Sequence, residues 1–277
     1  MTPRVTASGP TAFADLIWRG APLRIEFQWV GDAAGVQPML VFLHEGLGSV
    51  SMWKSFPERL CNALGRRGLV FSRRGYGRST PRPPDERWAT DFMHVQAHEA
   101  LPLLLDHLHI TRPWLVGHSD GGSIALLHAA RFDVAGIVVV APHVFVEDIS
   151  IANIERAREA YAHGDLRAGL ARHHADPDSA FRGWNDAWLA PAFRAWNIEA
   201  EIAAITCPVL AVQGDADEYG TLDQLHAIAR RVPQTELFVV PQCGHSPHRD
   251  QPELLAREAA RFITDHTPPR ELETPCA

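Results

Sequence analysis

Gly117-His118-Ser119-Asp120-Gly121 stands between a β-prone run, Trp114-Leu115-Val116, and a helix-like run from Gly122 to Arg131. In that strand–turn–helix context a Gly-x-Ser-x-Gly sequence forms a nucleophile elbow. A turn this tight forces the serine into a strained backbone conformation, and side chains two residues to either side would collide. Glycine has no Cβ, so Gly117 and Gly121 relieve the collision and leave Ser119 Oγ standing free above the sheet edge.

Outward from the elbow, strand and helix signals alternate. Residues Leu23 to Val30 alternate apolar and polar, as a half-exposed antiparallel strand does. Met39 to Leu43 is a continuous apolar run, the mark of a strand covered on both faces. A helix is predicted over Trp53 to Leu64 and a strand over Leu69 to Ser72. Asp91 to Leu108 has helical spacing, with Val95, Leu101, Leu104, Leu105 and Leu108 along one side. Beyond the elbow helix, Gly136 to Val140, Pro208 to Gln213 and Leu237 to Val240 read as strands. Such alternation implies a mostly parallel sheet with helices on both faces.

The rhythm breaks after Pro142. Residues 144–205 show helical stretches without a convincing strand, and they carry Trp184, Trp188 and Trp196. This predicts a helical lid inserted after the sixth strand of an eight-stranded sheet, with 1–143 and 206–277 forming the core. Spacings of four and eight put the three tryptophans on one helical face, either as packing or as pocket wall. The tail beyond Asp265, with Pro268, Pro269 and Pro275, reads as loose.

A serine hydroxyl needs a base to take its proton, and the base needs a third group to orient it. Among fifteen histidines, His245 is the favoured base because Cys243-Gly244-His245 directly follows the last strand; His248 is the fallback. The acid is expected after a strand between serine and histidine. Gln213-Gly214-Asp215-Ala216-Asp217 offers two carboxylates; Asp217 is preferred and Asp215 is read as a loop cap, with Glu147 and Asp148 as a distant option. Backbone donors for a developing oxyanion are assigned to Gly46, in His44-Glu45-Gly46-Leu47-Gly48, and to Asp120. Trp53, His143, Phe145, Trp184 and Trp188 are candidate pocket walls. His173, His174, Asp176 and Asp178 are read as a polar loop, and no metal or cofactor is expected.

Taken together, His44-Glu45-Gly46-Leu47-Gly48, Arg74-Gly75-Tyr76-Gly77-Arg78-Ser79, the elbow, Gly214-x-x-Asp217 and Gly244-His245 resemble the α/β-hydrolase superfamily over nearly the whole chain. They look most like its lid-bearing esterases, lactonases and carbon–carbon bond hydrolases. The resemblance implies an α/β-hydrolase fold and a cofactor-free Ser119–Asp217–His245 triad, in the chain order that this sheet uses. It leaves the substrate open, because one fold hosts many reactions. Two positions depart from the family pattern. Glu45 replaces the first glycine of the usual His-Gly-x-x-Gly, either turning away to bond within its loop or shaping the site as a carboxylate beside the oxyanion hole. Ser72 stands where an aspartate often precedes the Arg-Gly turn.

Bulk properties narrow the class. The 277 residues carry 26 basic and 33 acidic side chains, a formal charge of −7, which argues against a nucleic-acid or anionic-membrane partner. No apolar run approaches the roughly 20 residues of a membrane helix, and the first residues carry no signal-peptide apolar run. Cys61, Cys207, Cys243 and Cys276 form no C-x-x-C pair and read as reduced thiols of a cytoplasmic protein. The reading is a serine hydrolase acting on a small-molecule carboxylic ester, lactone or thioester, with homo-oligomer formation left open. A carbon–carbon bond hydrolase of a vinylogous diketone and a non-catalytic ligand-binding member are the alternatives. Amide hydrolysis ranks below the first of these. Epoxide and haloalkane hydrolases call for Asp where this chain has Ser119, and nothing in the sequence demands a cofactor-free oxygenase.

Overall fold

Short, uniformly apolar runs become the middle of the sheet. In the computed structural model, which describes residues 9–32, 34 and 38–267, every residue of Leu40–Leu43, Trp114–His118 and Gly136–Val140 is buried. Such strands need cover on both faces, which is what crossover helices supply. The strands are β1 (Ala12–Trp18), β2 (Ala21–Gly31), β3 (Leu40–Leu43), β4 (Arg67–Phe71), β5 (Trp114–His118), β6 (Gly136–Val140), β7 (Val209–Gly214) and β8 (Thr235–Val240). They form one eight-stranded sheet in the order β1-β2-β4-β3-β5-β6-β7-β8. Only the β1–β2 and β2–β4 pairs are antiparallel; the others run parallel.

β1 has no counterpart among the seven strands read from sequence. Its turn to β2 uses Arg19 and Gly20, both at positive φ (51° and 79°). A two-residue hairpin needs such values, but arginine at the first position hides the usual turn signature.

The helices are α1 (Phe56–Leu64), α2 (Phe92–Val95), α3 (Leu101–His107), α4 (Asp120–Ala129), α5 (Asp148–His163), α6 (Leu166–Leu170), α7 (Pro177–Trp188), α8 (Glu199–Ile202), α9 (Asp223–Arg231), α10 (Pro247–Asp250) and α11 (Pro252–Asp265). Two expected helices need correction. The one predicted over Trp53 to Leu64 is present as α1 but starts only at Phe56: Trp53 belongs to a separate 3-10 turn, Val50–Trp53, which Lys54 at φ 55° ends before the helix begins. The long helix predicted over Asp91 to Leu108 is interrupted by a π segment, Gln96–Ala100, where Leu101 N–H reaches back to the Gln96 carbonyl. Pro102 has no N–H to offer the carbonyl four residues earlier, so the ladder shifts register there.

Between β6 and β7 the described chain is helical from α5 to α8, with a lone bridge between Phe145 and Asn197 as its only strand-like pairing. The three tryptophans do not share one helix face. α7 ends at Trp188 and Trp196 follows a separate 3-10 turn, Pro191–Ala195; Pro191 forces Ala190 into an extended conformation and breaks the helix.

Alternate strand residues feed two core layers. Leu115, Ile137 and Val139 face Ile124 and Leu127 on one side, while Val116, Val138 and Val140 face Trp53, Leu60 and Phe262 on the other. β3 has β4 on one side and β5 on the other, so chain order reverses there. The crevice outside the carboxyl ends of β3 and β5 is where open α/β sheets bind ligands. No helix among the described residues is long and apolar enough to cross a membrane. Cys276 and the prolines Pro268, Pro269 and Pro275 lie outside the described residues, and the described cysteines are free thiols.

Candidate active site

Ser119 follows β5 at φ 52°, ψ −121°, a left-handed conformation that costs energy for any residue with a Cβ. The fold fixes it from both sides. Its N–H donates to the Val140 carbonyl of β6 at 2.9 Å. A Cβ at position 117 would strike the Gly121 carbonyl, and one at 121 would strike the Leu43 carbonyl. Any side chain at either position would push the turn off the strand.

Across the sheet end, the loop after β8 brings His245 to the loop after β7. His245 Nδ1 lies 2.8 and 3.0 Å from the two Asp217 carboxylate oxygens, so the ring donates through Nδ1 and keeps Nε2 free to exchange a proton. Asp217 Oδ1 also accepts Tyr219 N–H at 2.8 Å. Burial works against ionisation of this carboxyl, but His245 and the Tyr219 N–H outweigh it and hold the group below its ordinary value. Glu218 accepts the His245 N–H at 3.1 Å, and His118 Nε2 meets the His245 carbonyl at 2.8 Å. His245 is therefore gripped at its ring and at both its backbone groups.

The loop after β3 is built around the Glu45 carbonyl. It accepts from Arg73 Nη2 at 2.9 Å, from His44 Nδ1 at 2.7 Å and from Gly48 N–H at 3.1 Å. His44 Nε2 accepts Arg73 N–H at 3.0 Å, which fixes the neutral Nδ1–H tautomer; burial, with Arg73 close by, drives its pKa well below the usual value. In a planar trans peptide the Gly46 N–H points opposite to the Glu45 C=O. Three donors on that carbonyl thus fix where the Gly46 N–H aims. Asp120 opens α4, so its N–H has no acceptor within the helix.

Both expected oxyanion residues are touched by α7. A Cβ on Gly46 would overlap the Trp184 indole, and Trp188 Nε1 donates to Asp120 Oδ1 at 3.1 Å. Burial raises the Asp120 carboxyl to about 6 against the pull of Arg73 and Trp188. His143 is also at hand, 5.1 Å from Trp188 and 5.9 Å from His245 between ring centres. Burial depresses its pKa to about 3, helped by nearby His245.

The remaining candidates divide between this crevice and other duties. Trp53 packs on Phe42, Phe56 and His248 in the core layer below. Phe145 is partly buried against the other core layer, and its carbonyl accepts from Gln224. Glu45 turns its carboxylate to Arg249 and His118, at 3.3 and 3.6 Å, rather than into its own loop. His248 packs at a tilt against Trp53 and edge-on against His118. Asp215 accepts the Cys243 N–H; Glu147 holds Thr221 and Gln224; Asp148 pairs with Arg194. His174 bridges Gly77 and Leu47, Asp176 caps α7, and Asp178 pairs with Arg167.

Three contributors escaped the sequence reading. Glu26 supplies the carboxylate absent at Ser72: its Oε2 accepts from Ser72 Oγ at 2.8 Å and Arg78 N–H at 2.9 Å. The signal was a lone acid in the middle of the alternating β2 run. Arg73 stands just ahead of the Arg74–Ser79 stretch, and His118 is the variable residue of the elbow, so neither carries a sequence signal of its own.

Residues 40–258 match the Alpha/beta hydrolase family. The chain is 24% identical to the sn-1-specific diacylglycerol lipase ABHD11 of Danio rerio over 87% of its own length and 83% of that protein. It is 27% identical to the putative carbamate hydrolase RutD of a Caulobacter strain, over 81% of this chain and 90% of that one. Its fold is similar to the crystal structure of a proline iminopeptidase from Mycobacterium smegmatis, at TM-score 0.74 and 18% identity over 92% and 98% of the two chains.

Proposed function

The chain belongs to the alpha/beta hydrolase family, and from that premise we infer that it is a serine hydrolase cleaving a small carboxylic ester, lactone or thioester through an acyl-enzyme. The observation that carries this reading is the doubly contacted His245 Nδ1–Asp217 pair at the sheet end that also presents Ser119 in its left-handed turn. Relatives named as a diacylglycerol lipase and a putative carbamate hydrolase support carbonyl hydrolysis as the reaction class.

Ser119 Oγ attacks the substrate carbonyl while His245 Nε2 takes its proton, and Asp217 stabilises the imidazolium that results. The oxyanion forms between the N–H groups of Gly46 and Asp120, which are fixed before the reaction begins and need no reorganisation. Collapse of the tetrahedral adduct expels the alcohol or thiol, protonated by His245. Water then enters by the same base and releases the acid from Ser119. Residues 144–205 act as the lid over this crevice, with Trp184 and Trp188 as apolar walls, and the remainder of the chain is the core, which contributes His143 to the pocket wall. An apolar or aromatic acyl group suits such walls, and the setting is a cytoplasm that keeps Cys61, Cys207 and Cys243 reduced.

Turnover of p-nitrophenyl esters of graded chain length, beside lactones and a ring-fission diketone, tests the reading. Ester or lactone turnover abolished by Ser119→Ala supports it. Turnover of the diketone alone assigns carbon–carbon cleavage instead. Ligand binding without turnover makes the chain a binding member of its family.

A further inference from the structure

His118, one residue before the serine, is 1% exposed and touches two loops at once. Its Nε2 lies 2.8 Å from the main-chain oxygen of His245. A carbonyl only accepts, so this nitrogen carries a hydrogen. Its Nδ1 faces Glu45 Oε2 at 3.6 Å and has no other partner. In a neutral ring protonated on Nε2, the buried Nδ1 would turn a lone pair toward a carboxylate. A ring bearing both protons satisfies the carbonyl and the carboxylate together.

The Glu45 side is equally constrained. A Cβ on Gly48 would overlap the carboxylate, so glycine there makes room for it. Arg249 Nη2, from α10 just beyond His245, reaches Glu45 Oε1 at 3.3 Å. The His248 ring lies 4.6 Å from His118, and His143 and His245 are the other titratable groups that feel it. Burial disfavours the Glu45 charge, but His118, His248 and Arg249 outweigh it and hold the carboxyl well below its ordinary value.

We propose that Glu45 and the buried His118 form an ion pair that positions His245 by locking its main-chain carbonyl to the loop carrying the Gly46 N–H. The pair rests on the reading of His245 as the general base. It touches no reacting atom, so both residues are positioning residues. Its effect is to set the base and the oxyanion donor in one frame: Gly46 follows Glu45 directly, and His118 precedes Ser119.

The test compares His118→Phe, His118→Gln and the wild type by kcat, KM and the pH profile of kcat/KM. His118→Phe releases the carbonyl and leaves Glu45 uncompensated; kcat falls by roughly 10- to 100-fold with KM unchanged, and the acid limb moves to higher pH because the bare carboxylate favours protonated His245. His118→Gln keeps an N–H for the carbonyl and recovers most of kcat while the limb stays displaced, which carries the test if the phenylalanine variant does not fold. Wild-type kcat and limb position in these variants overturn the pair as a positioning device. Fluorophosphonate labelling of wild-type Ser119 is run alongside. Its absence overturns the serine-hydrolase reading itself, whatever the His118 variants do.

Discussion

Trp188 Nε1 donates to Asp120 Oδ1 at 3.1 Å, with the Trp188 side chain 1% exposed and Asp120 wholly buried. A helix inserted between β6 and β7 is thereby tied to the first residue after Ser119. The other Asp120 oxygen has no hydrogen-bond partner, so this indole is the carboxylate's one side-chain donor among the described residues. Trp188→Phe is expected to cost about 1–3 kcal/mol of stability at pH 8, where a buried charge loses its donor. The loss shrinks at pH 5, where the carboxyl is protonated. Urea denaturation at the two pH values measures it.

The Asp120 carboxyl itself sets a pH dependence. Its folded pKa of about 6 lies above the ordinary 3.8, so the folded state binds this proton more tightly than the unfolded chain. Its contribution to stability therefore falls as pH rises from about 4 to about 6. Asp120→Asn removes that slope: its unfolding free energy exceeds the wild-type value at pH 7 by about 3 kcal/mol, seen as a higher Tm, and matches it at pH 4. Thermal scans across this range read the difference directly.

Glu26 holds the Arg-Gly turn from below. Glu26→Ala leaves Ser72 Oγ and the Arg78 N–H without their acceptor and is expected to cost roughly 1.5–3 kcal/mol. Glu26→Gln retains one acceptor oxygen and loses less. Comparing denaturation midpoints of the two variants separates the charge from the hydrogen bonds.

Asp217→Asn preserves shape but presents an amide to His245 Nδ1, so the ring is no longer held as the tautomer that can accept from serine. The expected loss is on the order of 10⁴ in kcat with KM little changed. Steady-state kinetics on any ester that the wild type hydrolyses checks it.

The parts of this molecule that were readable in the sequence are those governed by local chemistry. A turn with glycines at positions 117 and 121 and uniformly apolar runs at β3, β5 and β6 carry their structural cause within a few residues. What stayed hidden depends on distance. The ties from Arg73 to the Glu45 carbonyl and from His118 to the His245 carbonyl span 28 and 127 residues, and no periodicity reports them. The same holds for Glu26, whose role appears only when β2 is laid under the Arg78 turn. Trp196 failed for another reason: helical spacing placed it with Trp184 and Trp188, but Pro191 ends the helix between them.

The central claim is that Ser119 becomes acylated. The most direct measurement is intact-protein mass spectrometry of the chain quenched in acid during p-nitrophenyl ester turnover, with the modified peptide then sequenced. The account predicts a mass increase of one acyl group on Ser119 in the wild type, longer-lived in Asp217→Asn and absent in Ser119→Ala. Ester turnover with no adduct at Ser119, or an adduct on another residue, would contradict it.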